Sequence, residues 1–219
     1  MTDDSNKYWG LLVSLMAMLL IGPILDSLAR LSLLVELIFG ALLIFAVWTI
    51  SHRRRTTLIA TILAVLLFAA NGLITAGNVS AALNVATMIL GCAFFSYVAS
   101  LIFYDTFYCE TVTLDTVLGA ICVYLMMGLF WGYAYGFVDL MDPSAFDQIS
   151  NDGHLLNRFM YFSFVTLTTL GYGDISPTSD AARGLAILEA TTGQIYLTVL
   201  VGRLVGLHLA NHQGATSRR

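Results

Sequence analysis

Thr166-Leu167-Thr168-Thr169-Leu170-Gly171-Tyr172-Gly173-Asp174 closes a short apolar run, residues 159–170, and precedes the last long apolar segment of the chain. A spanning helix needs roughly 20 apolar residues, so the run is too short to cross a bilayer and reads as a re-entrant or buried element. A helix of about 12 residues is about 18 Å long. Entering from the outer surface, it ends near mid-membrane with its carbonyl end inward, and that end favours a cation. The chain must then return to the same surface in extended form. Gly171 and Gly173, one residue apart, accept backbone angles that other residues resist. The carbonyls of successive residues can then point the same way. Non-helical backbone at this depth is tolerated only where it lines a watery path or is buried in protein.

The rest of the chain supplies the membrane setting. Of 219 residues, 58% are hydrophobic and 11% charged, with a mean hydropathy of +0.81. A soluble domain is nearer 45–50% apolar and about 25% charged. The composition excludes a soluble globular enzyme, a disordered chain and a nucleic-acid binder. Six apolar segments are long enough to span as helices: residues 8–25, 31–50, 58–76, 81–104, 117–138 and 184–210. The first resembles a signal peptide only in length. Asp3 and Asp4 outweigh Lys7 before it and no small-residue cleavage site follows Pro23, so it reads as a retained helix. Cys92, Cys109 and Cys122 lie in or beside apolar segments without metal-ligand spacing and read as small buried hydrophobes.

Orientation follows from Ser51-His52-Arg53-Arg54-Arg55, which holds three of the ten basic residues between the second and third segments. That loop is expected to be cytoplasmic. Parity then puts both termini inside, in agreement with Lys7, Arg218 and Arg219, while Arg30, Arg158 and Arg183 fall outside. It also puts the longest loop, residues 139–157, outside, where Asp139, Asp142, Asp147 and Asp152 can concentrate cations.

Thr169-Leu170-Gly171-Tyr172-Gly173 resembles the potassium-channel signature sequence, with Leu170 where Val is commoner, and Thr168 and Asp174 match its flanks. The order of outer span, pore helix, filter and inner span matches as well. The chain is similar to the tetrameric potassium channels of the voltage-gated-like superfamily, in the prokaryotic six-span form without voltage-sensor arginines. The pore resemblance covers residues 111–213; the first four segments resemble the family in number and order only.

The resemblance implies an all-α membrane protein. Each subunit would have six transmembrane helices, a re-entrant pore helix and a selectivity-filter loop, in a fourfold symmetric homotetramer. Residues 1–108 would form a four-helix peripheral domain and residues 109–219 the pore domain. Potassium would be held at Thr169, Leu170, Gly171 and Tyr172, with Gly173 closing the outer mouth. The Tyr172 ring would pack behind the filter against the pore helix, with Thr168 and Asp174 as supports. One departure is Val165, where some family members hold a carboxylate that braces the filter. The implied partners are other copies of the chain, membrane lipids and potassium ions, with no nucleic acid and no cofactor. The implied location is the cell membrane.

Further positions carry their own readings. Gly193, 20 residues after Gly173, matches the family's gating hinge, and a packing glycine is the alternative. Gln194, Leu197 and Val201, at i, i+3 and i+7, form the expected cavity face. Glu189 is an intramembrane carboxylate, read as a support bonded to pore-helix or filter groups; Glu36 is similar, with no obvious partner. Gly128, Gly132 and Gly136, and Gly202 and Gly206, are helix-packing glycines. His208 and His212 are interfacial histidines near the inner end of the last helix, and Asn78-Val79-Ser80 is a sequon in an outside loop.

Residues 81–104 contain no Arg or Lys, so steep conventional voltage gating is not expected. The few residues after Ala210 leave no room for a regulatory domain, and gating is expected to reside in the membrane portion. A weakly selective cation channel of the same fold is an alternative, although Tyr172 between the glycines argues for potassium. Tyr104-Asp105 with Gly171-Tyr172-Gly173-Asp174 also resembles the intramembrane aspartyl protease pair. Parity separates those aspartates by about a bilayer thickness, whereas a dyad must share a proton.

Overall fold

A computed structural model describes residues 7–25, 54–75, 77, 80–108, 113–147 and 155–216, without the side chains of 21–25 and 208–216. The helices are α1 (Trp9–Leu25), α2 (Arg54–Thr75), α3 (Ala81–Phe107), α4 (Leu114–Met141), α5 (Leu155–Leu167) and α6 (Asp180–Thr216). A two-residue ladder, β1 (Phe146–Asp147) with β2 (Ser176–Pro177), runs antiparallel and adds a small β element to the expected all-α fold. Four of the described helices are long and apolar enough to cross a membrane: α2, α3, α4 and residues Asp180–Leu207 of α6. The apolar segment 31–50 with Glu36, together with Arg30, His52, Arg53, Asn78, Val79, Cys109, Asp152, Arg218 and Arg219, lies outside the described residues, as do the side chains of His208 and His212.

The helices run past the apolar windows because their ends are polar but locally satisfied. Helix α4 starts at Leu114, three residues before the expected Val117, because Thr113 and Thr116 form a reciprocal capping box there. Helix α3 starts after Ser80, whose hydroxyl accepts the Leu83 N–H at 3.2 Å. Helix α2 begins at Arg54, with two arginines, good helix formers, ahead of the apolar run. The short helix occupies Leu155–Leu167 where 159–170 was expected, so the last three residues of that run leave the helix.

Helix α4 is the central element. It packs on α3, α5, α1 and α6 and buries residues on every side of its circumference. Small residues permit this. A Cβ on Gly132 would stand 2.4 Å from Met160 Sδ and 3.2 Å from Met160 Cα, so α5 lies against the α4 backbone. Gly128 and Gly136 meet Phe164 and Phe159 of the same short helix. Gly202 and Gly206, by contrast, have nothing within 4 Å among the described residues.

Two contacts fix which helix ends share a face. Lys7 Nζ lies 3.0 Å from Asp105 Oδ2, and the Tyr8 hydroxyl donates to the same carboxylate. The Tyr97 hydroxyl donates to Thr56 O at 3.3 Å. The starts of α1 and α2 and the end of α3 therefore lie toward one side. The opposite end of α4 is capped by an aromatic collar of Tyr135, Phe146, Phe159 and Phe162 with Ala145 and Ala182.

Candidate functional site

The site is assembled from the C-terminus of α5 outward. Leu170 N–H donates to Val165 O at 2.9 Å, and Thr169 N–H donates to Thr166 O at 2.9 Å. These are the paired 6→1 and 5→2 bonds of a Schellman helix stop, which needs a left-handed residue at the fifth position. Here that residue is Thr169, with φ of 58°. Glycine usually fills this position, and a β-branched residue in this region is strained by about 1–3 kcal/mol. Gly171 N–H also reaches Val165 O, at 3.3 Å.

Gly171 and Gly173 follow with φ of 61° and 77°, whereas Leu170 and Tyr172 between them do not take positive φ. Every second residue from 169 to 173 is thus left-handed. Alternation of hand turns successive peptide groups toward one side. A single Gly-x-Gly suggested two such positions; the third was not legible, because threonine does not advertise it.

The outer end is fastened separately. The Tyr161 hydroxyl donates to Asp174 Oδ2 at 2.7 Å, and Ile175 N–H donates to Asp174 Oδ1 at 3.1 Å. The acceptor raises the Tyr161 pKa above the ordinary phenol value, since the bond favours the neutral hydroxyl. Val165 is buried on α5. Beyond Asp174, Thr178 N–H donates to Ala145 O at 2.8 Å beside the β1–β2 ladder. This staples the return strand to the segment that leaves α4.

Behind the site, four hydroxyls tie α4, α5 and α6 together. Tyr124 on α4 donates to Leu167 O at 3.1 Å, at the last residue of α5. Tyr196 on α6 donates to Ala120 O on α4 at 2.7 Å. Tyr135 on α4 donates to Glu189 Oε2 on α6, while Ser163 Oγ on α5 stands 2.5 Å from Glu189 Oε1. Glu189 is fully buried within the single chain. The tyrosines and Ser163 lie 26–76 residues from their partners, and no local pattern in the sequence marks them.

The remaining expected positions separate. Thr168 donates its hydroxyl to Phe164 O at 2.6 Å. Gly193 sits against the end of α5, where a Cβ would stand 2.7 Å from Leu167 Cδ1 and 3.0 Å from Leu167 O. Helix α6 runs unbroken through Gly193, so its visible role is close approach. Gln194 and Val201 are exposed, but Leu197 is half-buried against the main core and does not share their open surface. Tyr172 is 67% exposed and Leu170 56% exposed. Among the described residues of one chain the Tyr172 ring is thus left largely uncovered. Asp105 is engaged by Lys7 and Tyr8 and Asp174 by Tyr161, so the two aspartates form no dyad.

Residues 120–207 match a protein-family model described as ion channel. The match runs from α4 through α5 and residues 169–173 into α6. Over 70 residues the chain is 37% identical to two-pore potassium channel 4 of Arabidopsis thaliana, covering 32% of this chain and 25% of that protein. The chain thus aligns with about a quarter of the relative's length. No solved structure matches. The matched segment is similar to ion-channel sequence, and with four described helices long and apolar enough to cross a membrane the chain is a multi-pass membrane protein.

Proposed function

We propose that the chain is one subunit of a potassium-selective channel that conducts passively through Thr169-Leu170-Gly171-Tyr172-Gly173. The observation that carries this reading is the left-handed φ at Thr169, Gly171 and Gly173 in the irregular segment that follows a 13-residue helix held between two spans. In this reading the aligned carbonyls replace the hydration shell of potassium. Several sites in line let ions displace one another by mutual repulsion. The likeness to a potassium channel over the pore segment supports the choice of ion.

One chain contributes one filter strand and a ring of carbonyls needs several, so the channel is a homotetramer. The exposed apolar surface of α6, including Ile187, Leu188, Ile195 and Val199, supports an assembly that covers it, as does the exposed Tyr172 ring. Six spans rest on the six apolar segments of the sequence, each of helix-spanning length. The channel sits in the cell membrane among lipids, with both termini on the cytoplasmic side with Arg53, Arg54 and Arg55. Conventional voltage gating is absent, since α3 carries no basic residue.

The test is ion flux into liposomes holding purified protein, comparing potassium, rubidium and sodium, with and without barium. Potassium and rubidium flux blocked by barium, with sodium excluded, is the expected result. Equal sodium and potassium flux would overturn the selectivity and leave a non-selective pore.

A further inference from the structure

Glu189 lies where α4, α5 and α6 meet, and its surroundings fix how many protons the cluster holds. Its Oε2 accepts from the Tyr135 hydroxyl. Its Oε1 stands 2.5 Å from Ser163 Oγ, and the same Oγ stands 2.7 Å from Gly128 O. A backbone carbonyl can only accept, and a serine hydroxyl carries one proton. If that proton pointed to Glu189, two oxygens without a proton between them would face each other at 2.7 Å. Donated to Gly128 O, it leaves the shorter contact to Glu189 needing a proton of its own, which the carboxyl must supply.

Burial points the same way. The carboxyl is shielded from solvent by its own subunit, before any assembly. No ion pair to Glu189 occurs among the described residues, and an isolated buried carboxylate without a cation is strongly disfavoured. The titratable groups that face it are the phenols Tyr135 and Tyr124 of α4. On α5 its contact is Ser163, while the Tyr161 hydroxyl of that helix turns to Asp174.

We propose that Glu189 is a neutral carboxylic acid that donates its proton to Ser163 Oγ, which relays to Gly128 O, and so acts as a positioning residue that fastens the pore helix to both flanking spans. The functional part rests on the channel reading above; the protonation does not.

Infrared spectra of the purified protein in lipid, wild type minus Glu189→Gln at neutral pH, test the assignment. A protonated-carboxyl C=O band lost in Glu189→Gln is expected. No such band in the difference would overturn the proposal. Should Glu189→Gln fail to assemble, Ser163→Ala decides: removing the acceptor should move the band to higher frequency, and an unchanged spectrum would overturn the proposal. The positioning role is read from the potassium-to-sodium flux ratio. It should fall several-fold in Glu189→Ala and be restored by Gln, a neutral donor, but not by Asp. Equal ratios in Ala, Gln and Asp would overturn the positioning role. A protein with the band and no flux would retain the Glu189 assignment and remove the channel reading.

Discussion

The hydroxyl of Tyr161 donates to Asp174 Oδ2 at 2.7 Å, joining a residue in the middle of α5 to the residue just beyond Gly173. The five filter residues hang between this bond and the Schellman stop at Thr169. One end is closed by backbone bonds and the other by side-chain bonds near solvent, Tyr161 to Asp174 and Ser176 Oγ to Gly173 O.

The outer end is accordingly the one a small substitution should loosen. The bond is exposed and runs from side chain to side chain, so the fold does not depend on it while the position of Asp174 does. Tyr161→Phe should lower the potassium-to-sodium flux ratio by up to about tenfold. The thermal midpoint of the solubilised protein should change little. Flux ratios in liposomes beside a melting curve check both parts.

Gly171→Ala and Gly173→Ala should each abolish potassium flux. Neither added methyl meets any atom within 4 Å among the described residues, so no clash with them is involved. The defect is the positive φ, which an L side chain resists. Secondary structure by circular dichroism should be retained in both.

Gly193→Ala and Gly202→Ala form a contrasting pair on one helix. The first drives a methyl against Leu167 at the end of α5 and should destabilise by about 1–3 kcal/mol. The second enters open space within the chain and should be neutral or slightly stabilising in the isolated subunit, since Ala is favoured over Gly in a helix by up to about 1 kcal/mol. Denaturant titration of solubilised protein separates them.

Tyr196 joins two kinds of contact. Its hydroxyl bonds Ala120 O, and its ring packs beside Phe103, Phe107 and Tyr124. Tyr196→Phe keeps the ring and should cost about 1 kcal/mol, although the orphaned carbonyl can raise this. Tyr196→Ala should cost about 3–5 kcal/mol. Thermal melts of both variants measure the difference.

Current–voltage recordings in planar bilayers should show shallow activation. Moving one charge through the field is worth about 2.3 kcal/mol per 100 mV, and α3 has no Lys or Arg to move. Activation steeper than about two gating charges per subunit would require charges carried elsewhere.

The sequence was informative wherever a residue type and its spacing carry the physics alone. Long apolar segments became α2, α3, α4 and α6, since hydropathy over a helix-length window is a sum over local residues. The starts of α2 and α4 were misjudged because Arg54 and the Thr113–Thr116 box belong to the helices by propensity and capping, which hydropathy does not register, whereas α3 starts at Ala81 as expected. Gly171 and Gly173 were legible as conformational requirements. Thr169 was not, because the neighbouring helix stop imposes its conformation. Glu189 stood out as a buried acid, but Tyr135 and Ser163 are ordinary membrane-helix residues until the fold brings them to it.

The hydroxyl ties behind the filter also set an order of events during synthesis. Tyr135 and Ser163 precede their shared partner Glu189 by 54 and 26 residues, and Ala120 waits 76 residues for Tyr196. While α4 and α5 emerge, those groups have no mate, and the short helix has only one wall to lean on. Individual spans can insert as they leave the ribosome, but long-range contacts form late because the loop must first close. A nascent chain halted before residue 189 would carry an inserted but unlocked pore helix, a ready point at which quality control could tell finished from unfinished subunits.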